Sequence, residues 1–485
     1  MINSVQVVNS KLSNVQFTDD QKVAVEGIIE FINANFNPNN FIIGLCGAGG
    51  VGKTFVTHYI IENCKYASSV IKCASPTHKA CRVLSQAIGG RKVETIQSIF
   101  GLRLDLKLED FDPDRPQFNP KAKPKLNQVQ LLIIDESSML PAKLVGYIRK
   151  TCKEQAIKII FVGDASQLPP VNQKESTAFK ICSKVFYLNQ IVRQEIDNPI
   201  RDLLQMLRDD INNKTFKFLH YISTHVGENV YNENSEGYTI TNPNGFKAMV
   251  DMSFRDEEFT CNVDKYRLIA YTNVAVSNWN HYIRNSVIIN ADKAILTKND
   301  LVMSNETIVD DFLSTVIINS EEYIVHDIVN YVDQKFGFKG FMVKFQMIHG
   351  GRITQPLFII DNKDNYSILQ YAKICNELMN SARKATGGTR VSRWKEYYDF
   401  KKKYLIICNI LDKDGSIKMP ASISYGFALT SHKAQGSTYD NIFVDVNDMV
   451  YTKDHKLYSN ADEMLRRLYV GCSRARKQLI ISYGK

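Results

Sequence analysis

Residues Gly47-Ala48-Gly49-Gly50-Val51-Gly52-Lys53-Thr54 constrain this chain more than any other stretch of it. They fit the pattern G-x-x-x-x-G-K-[ST] and follow an apolar run, Phe41 to Cys46, that reads as a buried parallel strand. Helical spacing resumes at Phe55, Tyr59 and Ile60. In a strand–turn–helix context, backbone N–H groups of Gly47, Gly49, Gly50, Val51 and Gly52 can fold around a phosphate, with the helix N-terminus adding its positive end. Lys53 is expected to reach the β- and γ-phosphates, and the Thr54 hydroxyl to ligate Mg²⁺. A plain glycine-rich turn is the alternative, and the flanking strand and helix weigh against it.

A phosphate cradle of this kind needs an acid at the end of another buried strand. Leu131-Leu132-Ile133-Ile134-Asp135-Glu136 supplies one. Asp135 is expected to hold Mg²⁺, and Glu136 to polarise the attacking water as general base. An Asp-Glu pair after an apolar run could also open a helix; following a phosphate loop, it points to a nucleoside triphosphatase, with ATP the expected nucleotide.

The strands at 70–74, 131–134 and 157–162 alternate with helix-spaced segments, so the predicted fold class is α/β, with parallel sheets covered on both faces. The same character returns at 267–271, 442–444 and 478–481. Two α/β domains in tandem follow, each carrying an insertion: 1–102 with 129–195, interrupted by a Pro-rich 103–128, and 196–290 with 421–485, interrupted by a β-rich 291–420.

Several segments together resemble the superfamily 1 DNA helicases. Phe161-Val162-Gly163-Asp164-Ala165-Ser166-Gln167-Leu168-Pro169-Pro170-Val171 is similar to their motif III, which implies that Gln167 contacts the γ-phosphate. Phe17 to Gln21 resembles the motif whose glutamine, here Gln21, reads adenine. Pro76, Thr77 and His78 fall in a segment like motif Ia, a strand end that grips single-stranded backbone. Leu188 to Gln194 places Arg193 at the γ-phosphate, and Leu468 to Arg476 resembles motif VI, with Arg474 as a second arginine finger. Ala428 to Ser437 is similar to motif V; Gly436 would lie at the nucleotide, and Thr430, His432 and Ser437 at the strand. Its Ser-His-Lys-Ala-Gln-Gly form points to the RecD-like branch that moves 5′ to 3′, with relatives among T-even bacteriophages. The likeness extends to Arg267–Asn273, which makes Asn273 a further strand contact. The resemblance implies two RecA-like domains that close on ATP and take alternate grips on single-stranded DNA. It departs from the pattern at Cys472-Ser473, where Thr is more usual before the arginine, and at Ser431.

The 103–128 insertion, with Phe111 and Phe118, has the size of a strand-separating pin, and a variable surface loop is the alternative. Arg393 to Tyr404 interleaves basic and aromatic residues; Trp394 could stack on a base, or the segment could be an amphipathic helix with its aromatics turned inward. Lys and Arg exceed Asp and Glu by 60 to 51, a formal charge of +9 that permits a polyanionic partner without requiring one. The ten cysteines show no C-x-x-C or zinc-ligand spacing and read as reduced thiols of a cytosol. No apolar run approaches a membrane span, and the N-terminus lacks a signal-peptide layout. A cytoplasmic monomer is expected, in the host cytoplasm if phage-encoded, acting on single-stranded DNA and duplex junctions with ATP and Mg²⁺. A single-strand-binding protein enters as partner by resemblance alone. The competing readings are a phosphate-loop kinase and a strand-stimulated ATPase that remodels nucleoprotein without processive unwinding.

Overall fold

The computed structural model describes residues 16–102, 122–170, 173, 176–190, 198–309, 315–411 and 417–484, with side chains at all but 260–261, 411 and 417–418. Arg193, Phe111, Phe118 and Val171 lie outside the described residues. The chain divides into two compact units. One comprises Met1–Ile240, Ala434–Thr438 and Met449–Leu479; the other comprises Thr241–Lys433, Tyr439–Asp448 and Ile480–Lys485.

The first unit is organised by six strands, β1 (Ile42–Gly47), β2 (Ile71–Ser75), β3 (Val93–Thr95), β4 (Leu131–Ile134), β5 (Lys158–Gly163) and β6 (Lys184–Leu188). They lie in the order β3-β2-β4-β5-β1-β6, and every pairing is parallel. The period of two along each strand divides its side chains between two cores. Leu131, Ile133, Ile160 and Val162 face one core, whereas Leu132, Ile134, Ile159 and Phe161 face the other. A sheet buried on both faces is what the continuous apolar runs predict.

Helix α1 (Asp19–Asn33) starts with a capping box: the Thr18 side chain accepts from the Gln21 N–H, and Gln21 returns the bond to the Thr18 N–H. Helix α2 (Lys53–Asn63) leaves β1 through the glycine loop, and α3 (His78–Ala87) leaves β2 with Thr77 as its N-cap. Burial pushes the Cys46 thiol up to about 11 and those of Cys73, Cys81 and Cys152 up to about 12, so they behave as small core residues.

In the second unit, strand Tyr266–Ala270 is paired in parallel on one side with Ala428–Thr430 and on the other with Tyr439–Asp445. Helix Asn273–Val287 packs on these strands; its buried Asn280 exchanges hydrogen bonds with the Ala428 backbone at 2.8 and 3.0 Å. Four strands within 291–420, Leu301–Ser304, Glu322–Val332, Lys339–Met347 and Leu357–Ile360, form a five-stranded antiparallel sheet whose edge strand, Ile423–Tyr425, comes from just beyond that range. The expected β-structure is therefore part of this region. The rest is a helical pair, Asn365–Lys384 and Gly387–Lys403, packed over a small aromatic core of Phe338, Phe358, Tyr371, Phe400 and Tyr404. Among the described residues, no helix is long and apolar enough to cross a membrane.

Candidate nucleotide site

Strand order brings the site together. β4, β5 and β1 are neighbours in a parallel sheet, so the residues after their C-terminal ends converge: Asp135 and Glu136, Asp164, and the glycine loop. In that loop Gly50 and Gly52 have φ of 83° and 84°, a left-handed conformation that a side chain would strain. Gly47 has no room for a Cβ, which would lie 2.7 Å from the Leu188 carbonyl and 2.7 Å from Val51 Cγ2. Lys53 Nζ donates to the Gly47 and Ala48 carbonyls, each at 2.7 Å, so the ammonium sits over the loop it is expected to serve. Thr54 is half-buried in the first turn of α2.

Gln21 is fully buried and its amide is engaged twice. Its oxygen accepts from the Thr18 N–H at 3.2 Å, and its nitrogen donates to the Val51 carbonyl at 3.0 Å. Any contact with a base would have to use the remaining N–H and lone pair. Neighbouring Asp20 accepts from the backbone N–H groups of Asn189 at 2.5 Å and Gln190 at 2.9 Å, tying the start of α1 to the end of β6. Against the opposing effect of burial, bonds from Thr18, Gln190, Asn189 and Gln21 hold its carboxyl below the usual range.

Glu136 adopts φ 51° and ψ 35°, a left-handed conformation uncommon for a residue with a Cβ. Its Oε2 is buried with no hydrogen-bond partner. Burial, then the adjacent Asp135 charge, pushes the Glu136 carboxyl up to about 7; Arg474 and Lys53 pull the other way, and Asp164 adds to the rise. Asp135 is also raised, chiefly by burial, with Lys53 opposing. Oxygen donors on Asp135 and Thr54 suit a hard divalent ion such as Mg²⁺.

Arg474 and the end of the Ser-His-Lys-Ala-Gln-Gly segment belong to the same unit. The Arg474 guanidinium is buried and held by the Val470 carbonyl at 3.0 Å, the Ser437 carbonyl at 3.2 Å and the Ser473 hydroxyl at 2.7 Å. Ser473 thus supplies the hydroxyl that the more usual Thr would bring, and the departure costs the arginine no support. Gly436 is left-handed at φ 72°, close to Ala80.

Three residues not singled out from the sequence clasp the loop after β5. Tyr469 donates to the buried Asp164 carboxylate at 2.8 Å, Arg466 donates to the Ala165 carbonyl at 2.5 Å, and Gln435 donates to the Leu168 carbonyl at 3.1 Å. Gln167, in the middle of that loop, is itself buried. The partners stand 301, 305 and 267 residues apart, and no local pattern could have announced them.

The residues expected to touch nucleic acid are distributed over both units. Pro76 is buried, Thr77 half-buried and His78 exposed at the start of α3. Ser437 is buried in the first unit. In the second unit Asn273 is exposed at the first turn of helix Asn273–Val287, while Thr430 and His432 are half-buried. Trp394 is half-buried and lies against Tyr398, with ring centroids 5.8 Å apart and planes 28° from parallel. Tyr398 is itself exposed, and of the helix Gly387–Lys403 only Phe400 is buried, so its aromatics are divided between the small core and the surface.

A parallel sheet with a glycine loop after one strand and an acidic pair after another defines a P-loop nucleoside-triphosphatase domain. Residues 18–224 match the AAA domain family, and residues 425–482 match the UvrD-like helicase C-terminal domain. An uncharacterised protein of Acanthamoeba polyphaga mimivirus is 24% identical over 96% of this chain and 99% of its own. The ATP-dependent DNA helicase dda of Enterobacteria phage T4 is 24% identical over 89% of this chain and 92% of its own. The fold is that of the Pif1 helicase from Bacteroides crystallised with ADP-AlF3 and ssDNA, which covers 97% of this chain and 93% of its own length at 17% identity with a TM-score of 0.50. The matched domains and the helicase relatives together support a superfamily 1 helicase of the Pif1/RecD-like group, related to Dda.

Proposed function

We propose that this protein is an ATP-dependent DNA helicase that translocates 5′ to 3′ on single-stranded DNA and unwinds duplex DNA. The observation that carries the reading is Glu136, a half-buried residue whose Oε2 is enclosed without a hydrogen-bond partner, its carboxyl raised to about 7 and within the electrostatic reach of Lys53 and Arg474. It is placed to take a proton from water attacking the γ-phosphate, since a general base works best with a pKa near the operating pH. Lys53 and Arg474 stabilise charge on the transferred phosphoryl group, and Arg193 joins them by resemblance. Thr54 and Asp135 would hold Mg²⁺, which when bound neutralises phosphate charge. Gly47 to Gly52 cradle the phosphates, and Gln21 reads the base.

Pro76, Thr77, His78, Asn273, Thr430, His432 and Ser437 grip the strand, Trp394 adds an aromatic edge, and the 103–128 segment with Phe111 and Phe118 serves as the pin. The protein works as a cytoplasmic monomer and meets a single-strand-binding protein on the same DNA. The 5′-to-3′ polarity rests on the Ser431-to-Gly436 segment's likeness to the RecD-like branch. Unwinding of two matched duplexes, one with a 5′ tail and one with a 3′ tail, tests the whole reading. Strand separation only from the 5′ tail is expected. Separation only from the 3′ tail would overturn the polarity, and strand-stimulated hydrolysis without separation would leave a remodelling ATPase.

A further inference from the structure

We infer that Gln435 is a positioning residue that fixes which end of the Gln167 amide faces the phosphate. The inference rests on the proposed contact between Gln167 and the γ-phosphate. A phosphate oxygen accepts hydrogen bonds and donates none, so only the NH₂ end of Gln167 can serve it, and the carbonyl end would repel it. An isolated glutamine presents either end by rotating its terminal torsion, and something in the protein must choose.

The choice is visible in the hydrogen bonds. Gln435 is buried, and its Nε2 donates to the Leu168 carbonyl at 3.1 Å. A backbone carbonyl is an acceptor only, which settles the orientation of the Gln435 amide. The same Nε2 then meets Gln167 Oε1 at 3.4 Å, holding the acceptor end of Gln167 and turning its NH₂ end away. The backbone beneath is held as well. Arg466 donates to the Gln167 carbonyl at 3.3 Å and to that of Ala165, and the Gln167 N–H donates to the Asp164 carbonyl at 3.3 Å. The Asp164 carboxylate accepts from the Ser166 N–H at 2.9 Å and from the buried Tyr469 hydroxyl. With the loop fixed and the amide direction set, Gln167 offers its donor without reorganising when phosphate arrives.

The test is steady-state ATP hydrolysis at saturating single-stranded DNA for Gln435→Glu, Gln435→Met, Gln167→Met and the double variant Gln167→Met/Gln435→Glu. Gln435→Glu keeps the shape but removes the donor, so the Gln167 NH₂ swings toward the new carboxylate. A fall in kcat of about 10²-fold is expected, with KM for ATP within about threefold. Gln435→Met leaves the Gln167 amide free to rotate, and the expected loss is about three- to tenfold. In the double variant, Gln435→Glu should add less than about threefold to the effect of Gln167→Met, because Gln435 acts through Gln167. Equal kcat for Gln435→Glu and wild type would overturn the inference, as would a Met variant worse than the Glu variant or fully additive effects. A wild type with no turnover would overturn the proposed function and the inference together, a result distinct from each of these.

Discussion

Two sets of buried charge in this protein are built on opposite plans. In the second unit, Arg284 makes a two-pronged contact with Asp300 at 2.7 and 2.8 Å, and Arg267 donates to Glu322 at 2.7 and 3.2 Å while Tyr439 donates to the same carboxylate at 3.0 Å. Both pairs are buried and closely hydrogen-bonded. At the end of β4, Asp135 and Glu136 are two like charges side by side, one of them with a buried oxygen that nothing satisfies. Each of these buried arginines has an opposite charge within hydrogen-bond distance. The unpaired pair costs stability where it stands, a cost that the proposed role of Glu136 as general base would account for.

The contrast can be broken from either side. Lys53→Ala should lower ATP hydrolysis by at least about 10²-fold while leaving single-strand binding intact; surviving turnover would remove the phosphate site from this loop. Glu136→Gln should lower hydrolysis by about 10²–10⁴-fold, with ATP still bound, as read by single-turnover kinetics and nucleotide binding. It should also leave the melting temperature unchanged or raise it. Glu322→Gln inverts the result: the buried Arg267, left with Asp264 at 3.8 Å as its carboxylate partner, should cost about 3 kcal/mol in denaturant unfolding. Equal destabilisation by the two substitutions would erase the distinction between them.

A finer test uses protons. In the nucleotide-free protein, the Glu136 side-chain carbonyl, followed by carbon NMR, should titrate near 7, and Asp135→Asn should lower that midpoint. A carboxyl raised in the folded state binds more protons there than in the unfolded chain between about 4.5 and about 7. Stability should therefore fall as pH rises through that window, and Glu136→Gln should flatten the slope. The smallest expected effect is at Trp394, where Ala should weaken single-strand binding by less than about tenfold, since one ring face already lies against Tyr398.

The sequence made the first sheet and its phosphate loop legible because both rest on short-range rules. Continuous apolar runs mark strands buried on two faces, and glycines at fixed spacing mark a backbone turned inside out. The helical pair at 365–403 was harder to read. Its first helix buries Ser367, Tyr371, Cys375 and Ala382, a true helical period written largely in small or polar residues, and the second buries only Phe400. Gln435, Arg466 and Tyr469 escaped for a different reason. Their targets lie on another strand's loop more than 260 residues away, and a motif states which residues recur without stating what they hold.

Gly47 has a mechanical meaning. With the Leu188 carbonyl standing where its side chain would be, the first residue of the phosphate loop and the last residue of β6 are in hard contact. Gln21 and Asp20 lash the loop at Val51 and the chain at Asn189 and Gln190 to the head of one helix. The phosphate loop, the head of α1 and the end of β6 are thus tied to one another, and a displacement of any one of them has to be shared by the others.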